Sequence, residues 1–243
     1  MKIEKEYINN FFDRLWNSRT TFDCDNNKVG DPQYLGIKRS NIDVAIMMME
    51  CRASYVLDRE EGYRDLYIDP KVDIVNSKPQ VIQQVKEELY EFLCLLSKNS
   101  VRNILQIGLG HFASTHFVLS LLMDSICTIE YDDLHIKRYS DEINLDKETL
   151  ICGDSTSQDV IQQAKNFGPF DCVFIDGNHS YEYVKLDLEN YTPLVKHGGI
   201  VALHDVNFEG ERYGSPRVIR EAIHDWKKIS HSDEVGIAYF IRI

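Results

Sequence analysis

Hydrophobic and polar positions follow two different rhythms along the chain, and the change falls near residue 101. Before it, apolar residues recur at the three- and four-residue spacing of amphipathic helices. These residues are Ile3, Tyr7, Ile8, Phe11, Leu15 and Trp16, and further on Val81, Ile82, Val85, Leu89, Phe92 and Leu96. Polar stretches at 23–33 and 60–77 predict loops between the helical segments. We therefore expect residues 1–79 to form a helical N-terminal extension.

Beyond residue 101, short apolar runs alternate with longer amphipathic stretches. The runs that predict strands cover 103–107, 125–130, 148–152, 171–176 and 200–204. The stretches that predict helices cover 114–123, 134–143, 157–167 and 183–194. Ser215-Pro216 opens one more helix, whose expected apolar face comprises Val218, Ile219, Ala222, Ile223 and Trp226. Strands that alternate with helices favour an α/β fold, a doubly wound parallel sheet with helices on both faces. The strand-like C-terminus predicts a closing hairpin, so we expect residues 80–243 to form one domain.

The net charge and the hydropathy of the chain argue against nucleic acids and membranes as partners. The chain has 243 residues, with 27 Lys plus Arg against 39 Asp plus Glu and a net charge of −12. Because phosphate binding needs a basic face, we expect no nucleic-acid partner. No apolar run is long enough to cross a membrane, and the first residues lack the apolar core of a signal peptide. We therefore expect no membrane partner.

The spacing of the cysteines indicates the redox compartment in which the protein folds. The six cysteines include no CxxC pair and no spacing typical of a zinc site. Three of them, Cys127, Cys152 and Cys172, lie inside apolar runs, where a buried reduced thiol is expected. The pattern favours a reducing cytoplasm and no disulfides.

A glycine turn follows the first predicted strand. Gly108 and Gly110 lead into the helix that begins near Ser114, and Glu130 ends the second strand 20 residues after Gly110. Ligands of doubly wound sheets bind beyond the carboxyl ends of the strands. Glycines allow the backbone to approach a ligand, and an acid at this spacing can accept the hydroxyls of a ribose. A tight turn without a ligand is the alternative.

Acids and histidines end the next three predicted strands. Asp154 and Ser155 follow the third strand, where an Asp can accept a hydrogen bond from an exocyclic amine or can cap the next helix. The sequence Asp-Gly-Asn-His-Ser-Tyr begins at Asp176 after the fourth strand and contains His179. The fifth strand ends in His204-Asp205. Two carboxylates and two imidazoles at one sheet edge could hold a divalent cation or arrange a general base, although each could also be a structural residue.

These motifs together resemble the class I S-adenosylmethionine-dependent methyltransferases. Within that class the chain is similar to the macrolide and aminocoumarin sugar O-methyltransferases and to cephalosporin-hydroxylase-like proteins. The resemblance covers residues 80–243 and depends most on Asp-Gly-Asn-His-Ser-Tyr followed by Gly-Gly and His-Asp. It implies a Rossmann-like, seven-stranded sheet whose last strand is antiparallel.

The resemblance also implies a role for each site residue. The cofactor-binding set comprises Gly108, Gly110, Ser114, Glu130, Asp154, Ser155 and Asp176. Asp176 and Asp205 match metal-ligand positions for Mg²⁺, with His204 beside them, and His179 matches the proposed base. Two residues depart from the family pattern. Gln106 stands where an acid often precedes the glycines, and His204 stands where Asp or Glu is usual, which suits Mg²⁺ less well.

The resemblance implies an enzyme that methylates a hydroxyl of a sugar or glycosylated small molecule. We expect residues 1–79 to form the acceptor pocket, and we consider them candidates for the contacts between subunits of a homo-oligomer. A nicotinamide-dependent oxidoreductase with the same glycine turn is one alternative, although such enzymes usually continue into a second mononucleotide-binding half. A non-catalytic cofactor-binding subunit of the same fold is another.

Overall fold

The computed structural model describes residues 84–110, 113–139, 147–208, 210, 212–231 and 235–243. Its helices are α1 (Lys86–Lys98), α2 (Ser114–Leu122), α3 (Asp133–Tyr139), α4 (Gln158–Lys165), α5 (Tyr181–Tyr191) and α6 (Ser215–Glu221). Its strands are β1 (Asn103–Ile107), β2 (Ser125–Glu130), β3 (Glu148–Cys152), β4 (Phe170–Ile175), β5 (Val195–His204), β6 (Lys227–Ile229) and β7 (Ile237–Ile241). A 3-10 turn, Thr192–Leu194, joins α5 to β5. The predicted N-terminal extension, residues 1–79, lies outside the described residues.

The seven strands form one sheet in the order β3-β2-β1-β4-β5-β7-β6. The five strands from β3 to β5 are parallel, whereas β7 runs antiparallel to both β5 and β6. The predicted class, a Rossmann-like α/β fold with an antiparallel last strand, is confirmed. Strands β1, β2 and β3 coincide with the predicted ranges, whereas β4 begins and ends one residue earlier than predicted and β5 begins at Val195 instead of residue 200.

Apolar side chains fill both faces of the sheet. Alternating residues of a strand point to opposite faces, so Phe174 packs with α1 and α2 while Val173 packs with α4 and α5. The central strands are buried on both sides, which explains their nearly continuous apolar sequences. Within the described part of the chain, no helix is both long and apolar enough to cross a membrane.

Two expectations are wrong in detail. Cys152 is exposed rather than buried, because it ends β3, which is the outermost strand of the sheet. Helix α6 ends at Glu221, and the chain becomes extended at Ala222, so Ile223 is 98% exposed instead of continuing the apolar face. His224 stacks on Phe240 at 3.9 Å, and Trp226 packs edge-on against the same ring. These contacts with β7 compete with a longer helix.

Candidate functional site

The glycine turn and the end of β4 lie in direct contact. The amide of Asp176 donates to the carbonyl of Ile107 at 2.9 Å, which extends the β1–β4 pairing up to the turn. Gly108 then has φ +93°, and a Cβ on it would lie 2.0 Å from the carbonyl oxygen of Asp176. The side chain of Gln106 donates to the carbonyl of Gly108 at 2.7 Å. Only glycine fits at residue 108, and the turn is therefore fixed against Asp176.

Glu130, at the end of β2, stabilises the same turn by hydrogen bonds. Its Oε2 accepts from the amides of Leu109 at 2.8 Å and Gly110 at 3.0 Å, and its Oε1 accepts from the amide of Asp132 at 2.8 Å. The Nδ1 of His135 lies 3.5 Å from Oε1. Since a carboxylate offers about four lone-pair positions, these three amides leave one acceptor position, on Oε1.

Asp154, at the end of β3, forms a local turn. Its Oδ1 accepts from the amide and the hydroxyl of Thr156, and its Oδ2 accepts from the hydroxyl of Tyr183 at 3.2 Å. The hydrogen bonds from Thr156 hold the pKa of Asp154 below its usual value. The next helix is capped by Ser157 instead, so Asp154 is not its N-cap. Ser155 contributes its carbonyl oxygen to the hydroxyl of Tyr191 at 2.6 Å.

The ends of β4 and β5 bring two carboxylates and an imidazole together. Because β4 and β5 pair in parallel through Ile175 and Leu203, the residues that follow lie side by side. The Nδ1 of His204 lies 3.0 Å from Oδ1 of Asp176 and 3.2 Å from Oδ1 of Asp205. His204 is buried, and Asp205 has a left-handed φ of +56°. An imidazole N–H thus bridges two acids, and the left-handed conformation of Asp205 sets where its carboxylate points.

His179 approaches the same carboxylates from the turn after β4. Its Nε2 lies 3.2 Å from Oδ2 of Asp205 and 3.8 Å from Oδ1 of Asp176. Its side chain is 40% exposed, against 4% for His204. His179 is therefore the imidazole of the cluster that an incoming molecule can reach.

The charges in this cluster shift the pKa values in opposite directions. Burial lowers the pKa of His204, but the charges and hydrogen bonds of Asp176 and Asp205 outweigh it and raise that pKa to about 10. Burial raises the pKa of Asp176, but the two imidazoles outweigh it and lower that pKa to about 2. Burial likewise lowers the pKa of His179, and the neighbouring carboxylates raise it overall. Asp176 is therefore ionised, and His204 is a cation beside it.

Ligand atoms of Asp176, His179 and Asp205 all lie within 4.8 Å of one another, which is close enough for a single metal ion. Two carboxylates and one imidazole suit Mg²⁺ or Mn²⁺. The predicted third member, His204, is adjacent, but its Nδ1 is directed at both carboxylates as a hydrogen-bond donor. Its Nε2 is buried and has no hydrogen-bond partner in the described part of the chain.

The structure brings the residues predicted from the sequence to one edge of the sheet, except that the side chain of Ser114 is not described. Gly108, Gly110, Glu130 and Asp154 end or follow neighbouring parallel strands, as expected. Ser114 is the first residue of α2, and its side chain lies outside what the structure describes.

Three residues at the site carry no signal in the sequence. The side-chain amide of Gln84 donates to Oδ2 of Asp176 at 2.9 Å. The ring of Tyr213 stacks on His179 with a centroid distance of 5.4 Å, and the ring of Phe208 stacks on Tyr213 at 4.2 Å. Each is a single residue outside the helices and strands, and only the folded chain brings it to the strand ends.

Comparison with known proteins agrees with this architecture. Residues 105–206, from β1 to just beyond β5, match the family described as "Methyltransferase domain". No curated protein matches the sequence significantly.

Several solved structures share the fold. A protein from Staphylococcus aureus assigned to the caffeoyl-CoA O-methyltransferases is 18% identical, with a TM-score of 0.55, over 83% of this chain and 99% of that one. An O-methyltransferase from Bacillus cereus in complex with SAH is 18% identical, with a TM-score of 0.53, over 84% and 91%. The methyltransferase MycE of the mycinamycin biosynthetic pathway, in complex with Mg, SAH and mycinamycin VI, overlaps less. It is 18% identical, with a TM-score of 0.44, over 59% of this chain and 46% of that one.

The domain match covers the glycine turn and the ends of all five parallel strands, which are the parts that carry the predicted cofactor and acid-histidine residues. It favours methyl transfer over nicotinamide chemistry at the glycine turn. Residues 105–206 therefore match the methyltransferase domain family, and solved O-methyltransferases share the Rossmann-like fold of this chain.

Proposed function

We propose that this chain is a class I S-adenosylmethionine-dependent methyltransferase that acts on a hydroxyl of a sugar or glycosylated small molecule, with the help of a divalent cation. The observation that carries the proposal is the cluster of Asp176, His179, His204 and Asp205 beside the glycine turn. A sugar hydroxyl is a weak acid, so its methylation needs a group that takes the proton and a charge that stabilises the oxygen. An amine acceptor would need neither to the same degree.

The cofactor residues are proposed from their places at the strand ends. Gly108, Gly110 and Ser114 would line the methionine part, Glu130 would accept one ribose hydroxyl on its free Oε1 position, and Asp154 with Ser155 would border the adenine. Asp176 would adjoin the methionine part from β4. Bound S-adenosylmethionine supplies a methyl carbon made electrophilic by the sulfonium.

His179 is the proposed general base. Its partly exposed Nε2 lies next to both carboxylates, so an acceptor oxygen near them is within its reach. The neutral ring is the form that takes a proton, and the unscreened carboxylates favour the charged form. For His179 to act as a base, the negative charge of Asp176 and Asp205 must therefore be offset. The proposed divalent cation in the cluster would do this.

Asp176 and Asp205, with His204 beside them and His179 within reach, are the residues proposed to hold Mg²⁺. The donor set fits the ion, since two carboxylates and one imidazole lie close together and Asp176 is ionised. Bound Mg²⁺ would polarise the acceptor hydroxyl and offset the negative charge of the two acids. The residues themselves orient the site: Gln84 and His204 hold Asp176 by hydrogen bonds, and the left-handed backbone holds Asp205.

Residues 1–79 are proposed to complete the acceptor pocket and to supply contacts in a homo-oligomer. The described strand ends border the site on one side only, and acceptor choice would then come from this extension. The cysteine spacing and the acidic charge support a location in the cytoplasm and a small-molecule partner.

Transfer of a labelled methyl group from S-adenosylmethionine tests the acceptor class. The panel would contain nucleotide sugars, free sugars and glycosides, set against catechols and amines. We expect product with a sugar or glycoside, loss of turnover after chelation, and recovery with Mg²⁺ or Mn²⁺. Methylation of amines or catechols alone would overturn the acceptor class, and full activity after rigorous chelation would overturn the metal.

Histidine variants test the base. At saturating cofactor, His179→Ala should lose about 10²–10⁴-fold in kcat, the usual contribution of a positioned base. His197→Ala is the matched control, because His197 is exposed near the start of β5, whereas the cluster lies at its other end. If His204→Ala abolished turnover while His179→Ala retained it, the proton would go to another group.

A further inference from the structure

The segment between β5 and α6 returns to the turn that carries His179. The amide of Gly214 donates to the carbonyl oxygen of His179 at 2.7 Å. A Cβ on Gly214 would lie 2.1 Å from the Cα of Tyr181, so only glycine allows this approach. The backbone of residues 213 and 214 is thereby fixed against the backbone of residue 179.

The same segment also contacts the side chain of His179. Tyr213 stacks on the imidazole with ring planes 24° apart, and Phe208 stacks on Tyr213 with ring planes 13° apart. The three rings form a row, which we call the aromatic row, from the loop after β5 to the edge of the acid cluster. His179 is thus held at two points, its carbonyl by Gly214 and its ring by Tyr213.

His179 needs such support because it belongs to neither a strand nor a helix. It lies in the turn between β4 and α5, and its ring is partly exposed. Its Nε2 meets the cluster at 3.2 Å from Asp205 and 3.8 Å from Asp176. An imidazole held only at its tip can rotate about its side-chain bonds, whereas a stacked ring restricts that rotation.

We propose that Tyr213 is a positioning residue that holds the imidazole of His179 with Nε2 directed at Asp176 and Asp205. The inference rests on the proposed role of His179 as the base. Tyr213 acts through the face of its ring, so the phenol oxygen is not required. Phe208 supports Tyr213 from further along the aromatic row.

The first test observes the ring of His179 without any acceptor. Two-bond ¹H–¹⁵N correlation spectra of labelled full-length protein give its imidazole signals, assigned with His179→Gln. Tyr213→Phe keeps the stacked ring and should leave the signals in place. Tyr213→Leu removes it at similar bulk and should shift them as the ring current and the fixed orientation are lost. Unchanged His179 signals in Tyr213→Leu would overturn the proposal.

The second test is kinetic and uses whichever hydroxyl acceptor the labelled-methyl panel identifies. We expect kcat of Tyr213→Phe to stay within about twofold of wild type, and kcat of Tyr213→Leu to fall roughly 10- to 100-fold, the scale of a misplaced catalytic group. The KM for S-adenosylmethionine should not change in either variant. A merely structural role predicts parallel losses in kcat, cofactor affinity and melting temperature, without rescue by phenylalanine.

The two tests separate failure of this inference from failure of the proposed function. Shifted ring signals with an unchanged kcat in Tyr213→Leu would show that orientation of His179 does not matter for transfer, which overturns the positioning role. If no hydroxyl compound is methylated, the base role of His179 falls with the proposed function. The ring signals still decide whether Tyr213 orients the imidazole.

Discussion

Gly108 and Asp176 approach each other so closely that the carbonyl oxygen of Asp176 occupies the space of a side chain on residue 108. A Cβ there would lie 2.0 Å from that oxygen. The glycine turn after β1 and the acid cluster after β4 are consequently one rigid unit. A cofactor methyl group and an acceptor oxygen must meet within bonding distance, and a fixed spacing between the two halves of the site serves that requirement.

Replacement of Gly108 by alanine should disrupt both halves. The new Cβ forces the backbones of β1 and β4 apart, and φ +93° is unfavourable for any side chain. We expect a destabilisation of about 2 kcal/mol or more from strain and displacement, and loss of SAH binding. Chemical denaturation and calorimetric titration measure the two effects.

Gly198→Ala is the matched control for backbone strain. Gly198 also has a positive φ, +77°, but nothing lies within 4 Å of its added Cβ. It should lose about 1–2 kcal/mol from conformation alone and bind SAH normally. Equal losses of stability and of binding in the two variants would contradict a specific contact between Gly108 and Asp176.

The edge of the sheet that holds the proposed cofactor residues was predictable, because the order of strands and turns follows from the local sequence pattern. Parallel strands end at the same side of a sheet, so residues that follow apolar runs must lie near one another whatever the details of packing. This reasoning correctly brought together Gly108, Glu130, Asp176 and Asp205. The strands were found for the same reason, since buried parallel strands have nearly continuous apolar sequences.

The pairing of polar atoms was not predictable, because it depends on tertiary geometry. No spacing rule indicates that the carboxylate of Glu130 accepts hydrogen bonds from three backbone amides. Nor does any rule indicate that Gln84 bonds to Asp176, 92 residues away in sequence. The early end of α6 has the same origin: the stacking of His224 on Phe240 decides it, and helical periodicity does not register that contact.

Glu88 of α1 should be a major determinant of stability. This fully buried carboxylate accepts from the amide of His231 at 2.7 Å and from the amide of Gly236 at 2.8 Å, the two sides of the β6–β7 connection. Glu88→Ala leaves two N–H groups without this acceptor, at about 1–3 kcal/mol each. We expect a loss of roughly 2–5 kcal/mol in urea unfolding, and faster hydrogen exchange at both amides.

Glu87→Ala is the control for Glu88, because Glu87 is the exposed neighbour on the same helix. It should change the unfolding free energy by less than about 0.5 kcal/mol. If exchange at His231 and Gly236 stayed slow in Glu88→Ala, the carboxylate would not be what holds the connection.

Asp187 of α5 should make stability fall as the pH rises. It is fully buried, and burial raises its pKa to about 7, against about 3.9 in an unfolded chain. Between these values the folded state keeps a proton that the unfolded state has lost. Stability is therefore highest below about pH 4, decreases up to about pH 7 and changes no further above it, by a few kcal/mol in all, since each pKa unit corresponds to about 1.4 kcal/mol.

The variant Asp187→Asn removes this titration while keeping the shape. The difference in unfolding free energy between Asp187→Asn and wild type should shift in favour of the variant as the pH rises from 5 to 8. Denaturation at several pH values measures this difference. Asp159→Asn removes the same charge from an exposed position on α4 and corrects for the change in net charge. A parallel pH dependence in wild type and Asp187→Asn would show that Asp187 is ionised in the folded protein.

Glu130 should contribute to cofactor binding in two separable ways. It shapes the turn through the amides of Leu109 and Gly110, and its Oε1 retains one acceptor position, which we propose for a ribose hydroxyl. Glu130→Ala removes both functions, and the loss of a charged hydrogen-bond partner is worth about 1.5–3 kcal/mol. We expect the Kd for SAH to rise roughly 10- to 150-fold, by calorimetric titration.

A cycle with modified ligands distinguishes the two contributions. Wild type and Glu130→Ala would each be titrated with SAH and with its 2′-deoxy and 3′-deoxy analogues. If Glu130 accepts a ribose hydroxyl, one analogue should bind wild type more weakly than SAH does, yet bind Glu130→Ala as well as SAH does, because the acceptor is already gone. Additive losses for both analogues would mean that Glu130 acts on the cofactor only through the backbone of the glycine turn. The ribose would then be bound by another group.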